Sequence, residues 1–122
     1  MSSKARVETF IRSTFRSVWS LEMLLHLKRE SGFWSAQELV GALRGSQLIV
    51  AQGMDALFAA GLIEIDGDGR ARYQPASIEL GQFMDEAEAL YVRSPDAVRR
   101  MIVNAAQGSL AAFAAAFQLK KD

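Results

Sequence analysis

Residues 35–73, SAQELVGALRGSQLIVAQGMDALFAAGLIEIDGDGRARY, carry a close succession of start and stop signals that fixes an order of elements. Ser35 can cap an orphan backbone donor, and Glu38, three residues on, can reach back to the cap's own amide. Leu39, Val40 and Leu43 then recur at helical spacing. Arg44-Gly45-Ser46 interrupts that helix with a glycine free to take positive φ and a second capping residue. The spacing predicts a longer helix over residues 46–60, with Ile49, Val50, Met54, Leu57 and Ala60 as its apolar face and Gly61 as a left-handed end. Residues 62–65 read as a strand and Asp66-Gly67-Asp68-Gly69 as a hairpin turn. Residues 70–74 form the return strand, which Pro75 ends.

The flanking segments are helical by the same criteria. Val7, Phe10 and Ile11 predict an amphipathic helix over residues 4–12 and a bend over residues 13–17. Residues 18–29 form the most apolar helix of the N-terminal half, which belongs at the centre of the core. Phe33-Trp34 suits a short extra strand, with Trp34 packed under the hairpin. After Ser77, a cap, Ile78, Leu80, Phe83, Met84, Ala87, Leu90 and Tyr91 repeat at helical steps. Ser94-Pro95-Asp96 starts another helix, with proline where its missing donor costs nothing. Gln107-Gly108 is expected to break it, and Ser109 to cap a last helix, SLAAFAAAFQLKKD.

The order in residues 35–73 resembles the winged helix-turn-helix superfamily, in the manner of bacterial transcriptional regulators. The features are a positioning helix at SAQELVGAL, a second helix beginning at Ser46, the junction ALFAAGLIEI and the basic return ARY. At motif strength the resemblance covers roughly a third of the chain and speaks to fold more than function. It implies a mainly α fold, a winged helix-turn-helix with a small β-hairpin wing and additional C-terminal helices. Residues 1–76 would form the winged domain with its N-terminal helix, and residues 77–122 a helical extension.

Composition bounds the function. The 122 residues suffice for one core, and the absence of cysteine excludes disulfides and thiolate metal sites and suits a cytoplasmic setting. The N-terminus lacks the apolar run of a secretory signal, and no stretch reaches a membrane span of roughly 18 apolar residues. The one histidine, His26, lies in a helix without partners at metal-ligand spacing, so it reads as structural. Asp85, Glu86 and Glu88 read as a solvated helix face, and Arg99 and Arg100 as able to pair with them or with a partner. No phosphate-cradling glycine loop, metal set or nucleophile with a base is present, so neither an enzyme nor a cofactor is expected.

Two partners fit the motif. The resemblance implies double-stranded DNA, with Ser46, Gln47 and Gln52 at the base edges or phosphates and Arg44, Arg70 and Arg72 on the backbone. Yet no lysine or arginine occurs between Ser46 and Ile65, while Asp55 and Glu64 add negative charge. The net charge of zero offers no general attraction to phosphate either, so Lys4, Arg6, Arg12 and Arg16 would have to assist. Leu48, expected to point outward, and Phe58 at the stripe's edge fit the other reading, a protein-binding surface. The last helix is apolar all round, and Leu110, Phe113, Ala114 and Phe117 form its stripe. Such a helix requires cover, and a homodimer supplies it.

Overall fold

The computed structural model describes the backbone of residues 3–119 and the side chains of residues 4–107. The chain is mainly helical with one small antiparallel sheet, in the order α1 (Ser3–Thr14), α2 (Val18–Arg29), α3 (Ala36–Leu43), α4 (Gln47–Ala59), β1 (Ile63–Ile65), β2 (Ala71–Tyr73), α5 (Ile78–Arg93), α6 (Pro95–Leu119). Among the described residues, no helix is long and apolar enough to cross a membrane.

α2 sits at the centre because it is apolar on more than one side: Leu21, Met23, Leu24, Leu25 and Leu27 are all buried. The segment read as a bend supplies its start, for Ser17 and Ser20 form a reciprocal capping box. α3 and α4 pack on α2 through Leu39, Val50, Met54 and Leu57, and the sheet closes this side with Leu62, Ile63 and Ala71. α1 packs on α5 and α6, where Val7, Ile11 and Phe15 meet Met84, Ala87, Leu90, Val98 and Ile102 in the same continuous core. Phe10 stacks on Phe83 with ring centroids 5.6 Å apart.

The caps stand where the sequence placed them. Ser35, Ser46 and Ser77 each accept a hydrogen bond from the amide three residues on, and the Glu38 carboxylate accepts from the Ser35 amide. β1 and β2 pair with Ile63 opposite Tyr73, Glu64 opposite Arg72 and Ile65 opposite Ala71. Within the turn Gly69 takes φ +80°, and its amide donates to the Asp66 carbonyl, while the Asp66 carboxylate accepts from the Asp68 and Arg70 amides. A type I turn closed by a left-handed glycine follows.

Several expectations are corrected. The left-handed residue between α3 and α4 is Arg44, at φ +54°, and not Gly45. Gly45 is instead the site of a close approach, since a Cβ there would lie 3.2 Å from the Trp19 ring. The extra strand at Phe33-Trp34 shrinks to one bridge, with Trp34 and Ala71 exchanging backbone hydrogen bonds of 2.7 and 2.8 Å. Gly108 does not break α6, which is one helix from Pro95 to Leu119. A single glycine costs only about 1 kcal/mol in a helix interior, too little to stop one flanked by alanines when no proline follows. Leu110, Phe113, Ala114 and Phe117 lie on this continuation, and their side chains fall outside those described.

The acidic cluster is not simply a solvated face. Glu88 is mostly buried and binds Lys28 at 2.7 Å and Arg29 at 2.8 Å, and Lys28 also meets Asp85 at 3.0 Å. Arg99, expected to serve that cluster, pairs instead with Asp96 at 3.1 Å and lies over the Tyr91 ring. The Tyr91 hydroxyl donates to Glu22, a second polar tie between α2 and α5. Burial opposes ionisation of Glu88, but the hydrogen bonds from Lys28 and Arg29 prevail and hold its carboxyl below the usual range. Its contribution to stability is therefore full above the unfolded-state pKa and lost as pH falls through the folded-state value. Glu88→Gln is expected to destabilise the fold by roughly 1–3 kcal/mol at neutral pH. Thermal melts at falling pH should show the gap from the parent closing below about pH 4.

Candidate macromolecule-binding surface

α4 buries one face and leaves the rest open, as its pattern demands. Val50, Gly53, Met54 and Leu57 face inward. Gly53 is a point of close contact with α2, where a Cβ would stand 2.8 Å from the Met23 methyl carbon. The open side carries two different flanks. Gln47, Leu48, Ala51 and Phe58 form a ridge with Leu48 66% and Phe58 55% exposed, high values for side chains of this size. On the other flank, Ile49, Gln52, Ala56 and Ala59 line an open groove of about 970 Å³, whose far wall is Ser13, Thr14, Arg16, Ser17, Trp19 and Ser20.

The DNA candidates fall into distinct environments. Ser46 spends its hydroxyl on the cap, accepting from the Ile49 amide at 3.1 Å. Gln47 and Gln52 are both exposed, but Gln47 stands on the ridge and Gln52 in the groove. Arg44 is exposed beside the N-terminus of α4 and has no ion-pair partner among the described residues.

The two hairpin arginines are held by their own hairpin. Arg70 Nη2 lies 2.9 Å from Asp66 and 3.7 Å from Asp68, and its Nε donates to Asp66 at 3.0 Å. Arg72 Nη2 bonds Glu64, its cross-strand neighbour, at 3.2 Å, whereas Arg72 Nε is buried without a hydrogen-bond partner among the described residues. Both guanidinia lie over the Phe33 ring, at 5.7 and 4.8 Å from its centroid. The Arg70 amide, aided by the Asp68 amide and the Arg70 side chain, holds the Asp66 carboxyl below its ordinary range against a burial effect that raises it. Three carboxylates thus accompany two guanidinia on the hairpin, and Asp68 at the tip is 83% exposed.

The N-terminal cations do not complete a patch on α4. Arg6 lies 3.9 Å from Glu79 of α5, Arg12 lies 3.6 Å from Glu8, and Lys4 lies beside Glu86 and Arg93. Only Arg16, in the groove wall, stands near α4. The His26 ring meets Trp34 edge-on at 4.4 Å, Trp34 in turn donates to the Glu30 carbonyl, and His26 Nε2 is buried without a hydrogen-bond partner among the described residues. Sequence reasoning missed Phe33 as the platform for both hairpin arginines, and it missed the groove altogether, because each joins residues from separate elements.

Comparison with known proteins supplies no relative: no family model, curated protein or solved structure matches the chain. The two faces of α4 differ sharply in what they contribute to stability. Leu48→Asp and Phe58→Asp are expected to change unfolding free energy by no more than about 0.5 kcal/mol. Leu57→Ala should cost about 2–5 kcal/mol, as judged by chemical denaturation.

Proposed function

We propose that this chain is a winged helix-turn-helix protein, without catalytic activity and homodimeric, whose α4 ridge binds another protein. The observation that carries the reading is the pair Leu48 and Phe58, exposed on a helix flank that has no cationic side chain. An apolar patch without a cation, with Asp55 exposed between its two large side chains, gains free energy by meeting another apolar surface, and gains none from a phosphate backbone. The hairpin supports this reading, since a phosphate approaching Arg70 or Arg72 must displace Asp66 or Glu64 and pass Asp68. The apolar sequence of the last helix, with Val92 and Val103 exposed on α5 and α6, supports the homodimer.

A second reading, a transcriptional regulator that reads DNA with α4, draws on one observation. Arg44 stands exposed at the N-terminal end of α4, with no ion-pair partner among the described residues, near exposed Gln47. An arginine on a phosphate and an amide on an adenine edge are a workable pair. Its limit is quantitative: each neutralised phosphate adds a slope of about 0.9 to the salt dependence, and Arg44 offers one.

Both readings meet the same assay. The purified full-length protein should retain a specific partner protein in affinity capture and lose it, by at least about tenfold, with Leu48→Asp or Phe58→Asp. It should leave genomic DNA fragments unshifted at low salt. A shift weakened by Arg44→Ala, with the Leu48→Asp capture unchanged, would overturn the protein-binding reading in favour of DNA.

A further inference from the structure

The groove beside α4, about 970 Å³ in volume, has a floor of small residues among the described residues. Gly53, Ala56 and Ala60 of the α4 segment face Ser17 and Ser20 across it, with Trp19 as a wall. Small side chains on both sides let a helix approach to the close interaxial distances at which backbones pack, about 8 Å. The lining from Ile49 to Ala60 extends along about three helical turns, roughly 17 Å.

We infer that this groove seats the distal part of α6 from a second copy of the chain, so that the two copies exchange their C-terminal helices reciprocally. The inference rests on the homodimer proposed above and says where its interface lies. The distal part, SLAAFAAAFQL at residues 109–119, is also about three turns long. Its sequence is rich in alanine, which matches a small-residue floor, and Phe113 and Phe117 recur one turn apart. Having almost no polar residue, it requires enclosure on all sides, more than a flat contact provides.

α6 packs on α1 and α5 through Val98, Met101 and Ile102 near its start and then continues as one helix through Gly108. An unbroken helix through Gly108 carries the distal part straight on from these contacts, and we assign the groove it fills to a second molecule. Charge agrees: Asp55 stands exposed at the groove with no ion-pair partner among the described residues, and Lys120-Lys121 follow the distal stretch directly in sequence.

The chain has no cysteine, so introduced thiols report proximity cleanly. Sedimentation of the full chain at micromolar concentration should give a dimer. Ala59→Arg in the groove and Phe113→Glu in the distal helix should each weaken the dimer by at least about 100-fold, whereas Ala51→Arg, on the opposite flank of α4, leaves it intact. Mixed Ala59→Cys and Ala114→Cys chains should join through a short bismaleimide linker, with neither variant joining to itself at that yield. A wild-type monomer would overturn the homodimer and this interface together. A wild-type dimer that is indifferent to Ala59→Arg and gives no mixed cross-link would overturn the groove alone and leave the homodimer standing.

Discussion

The fold depends on a helix that has almost no outward face. Five side chains of α2 are at most 1% exposed, so this helix has to be surrounded before it can be stable. α3, α4 and β2 pack on it, and so does α6. At about 25 cal/mol per Å² of apolar surface, enclosing such a helix is the largest favourable term available to a chain of this size. What α2 keeps of polarity is concentrated on α5: Glu22 accepts from Tyr91, while Lys28 and Arg29 grip Glu88. On α5, Asp85, Glu88 and Tyr91 are one turn apart in succession, so these ties fix its register against α2 as well as its proximity.

Around that centre α4 serves two purposes that its sequence keeps separate by angle. Its inward face is committed to α2, closely enough that Gly53 leaves room for Met23 and little else. The outward face is free, but it is not electropositive. The cations that the fold places nearest are Arg44 and Arg16, while Arg70 and Arg72 answer to carboxylates of their own hairpin. Surface ion pairs of this kind are worth little to stability, about 0–1 kcal/mol. Their effect on recognition is larger, because a carboxylate beside each guanidinium removes the net charge that would draw in a phosphate from a distance. The proposed role in protein binding therefore follows from where the acids stand as much as from where Leu48 and Phe58 stand.

Phe33 shows how a short irregular segment can organise this electrostatic neutrality. Its neighbour Trp34 anchors it by bridging to Ala71, and its ring then lies under both Arg70 and Arg72. The guanidinia lie over the ring and pair with Asp66 and Glu64. A hairpin whose return strand reads as basic in sequence is thereby a near-neutral surface in three dimensions.

Caps, turns and most helix limits were legible in the sequence because they depend on residues within one turn of one another. Ser35 with Glu38, Ser46, Ser77, Asp66 with Gly69, and the apolar stripe of α2 all act locally, and all stand as read. Where two local signals competed, the sequence misled: Gly45 could take the left-handed turn, but Trp19 needed it for close packing and Arg44 took the turn instead. Gly108 could end a helix, yet its alanine-rich surroundings outweigh a cost of about 1 kcal/mol. The sequence by itself therefore determined the order and type of the elements, apart from the extra strand at Phe33-Trp34 and the break at Gly108. Only the tertiary structure decided which charges are free, since Glu88 meets Lys28 across 60 positions of chain, and Arg72 meets Glu64 only because of the strand register. Ion pairing is set by distance in space, and sequence spacing reports that distance only within a single element.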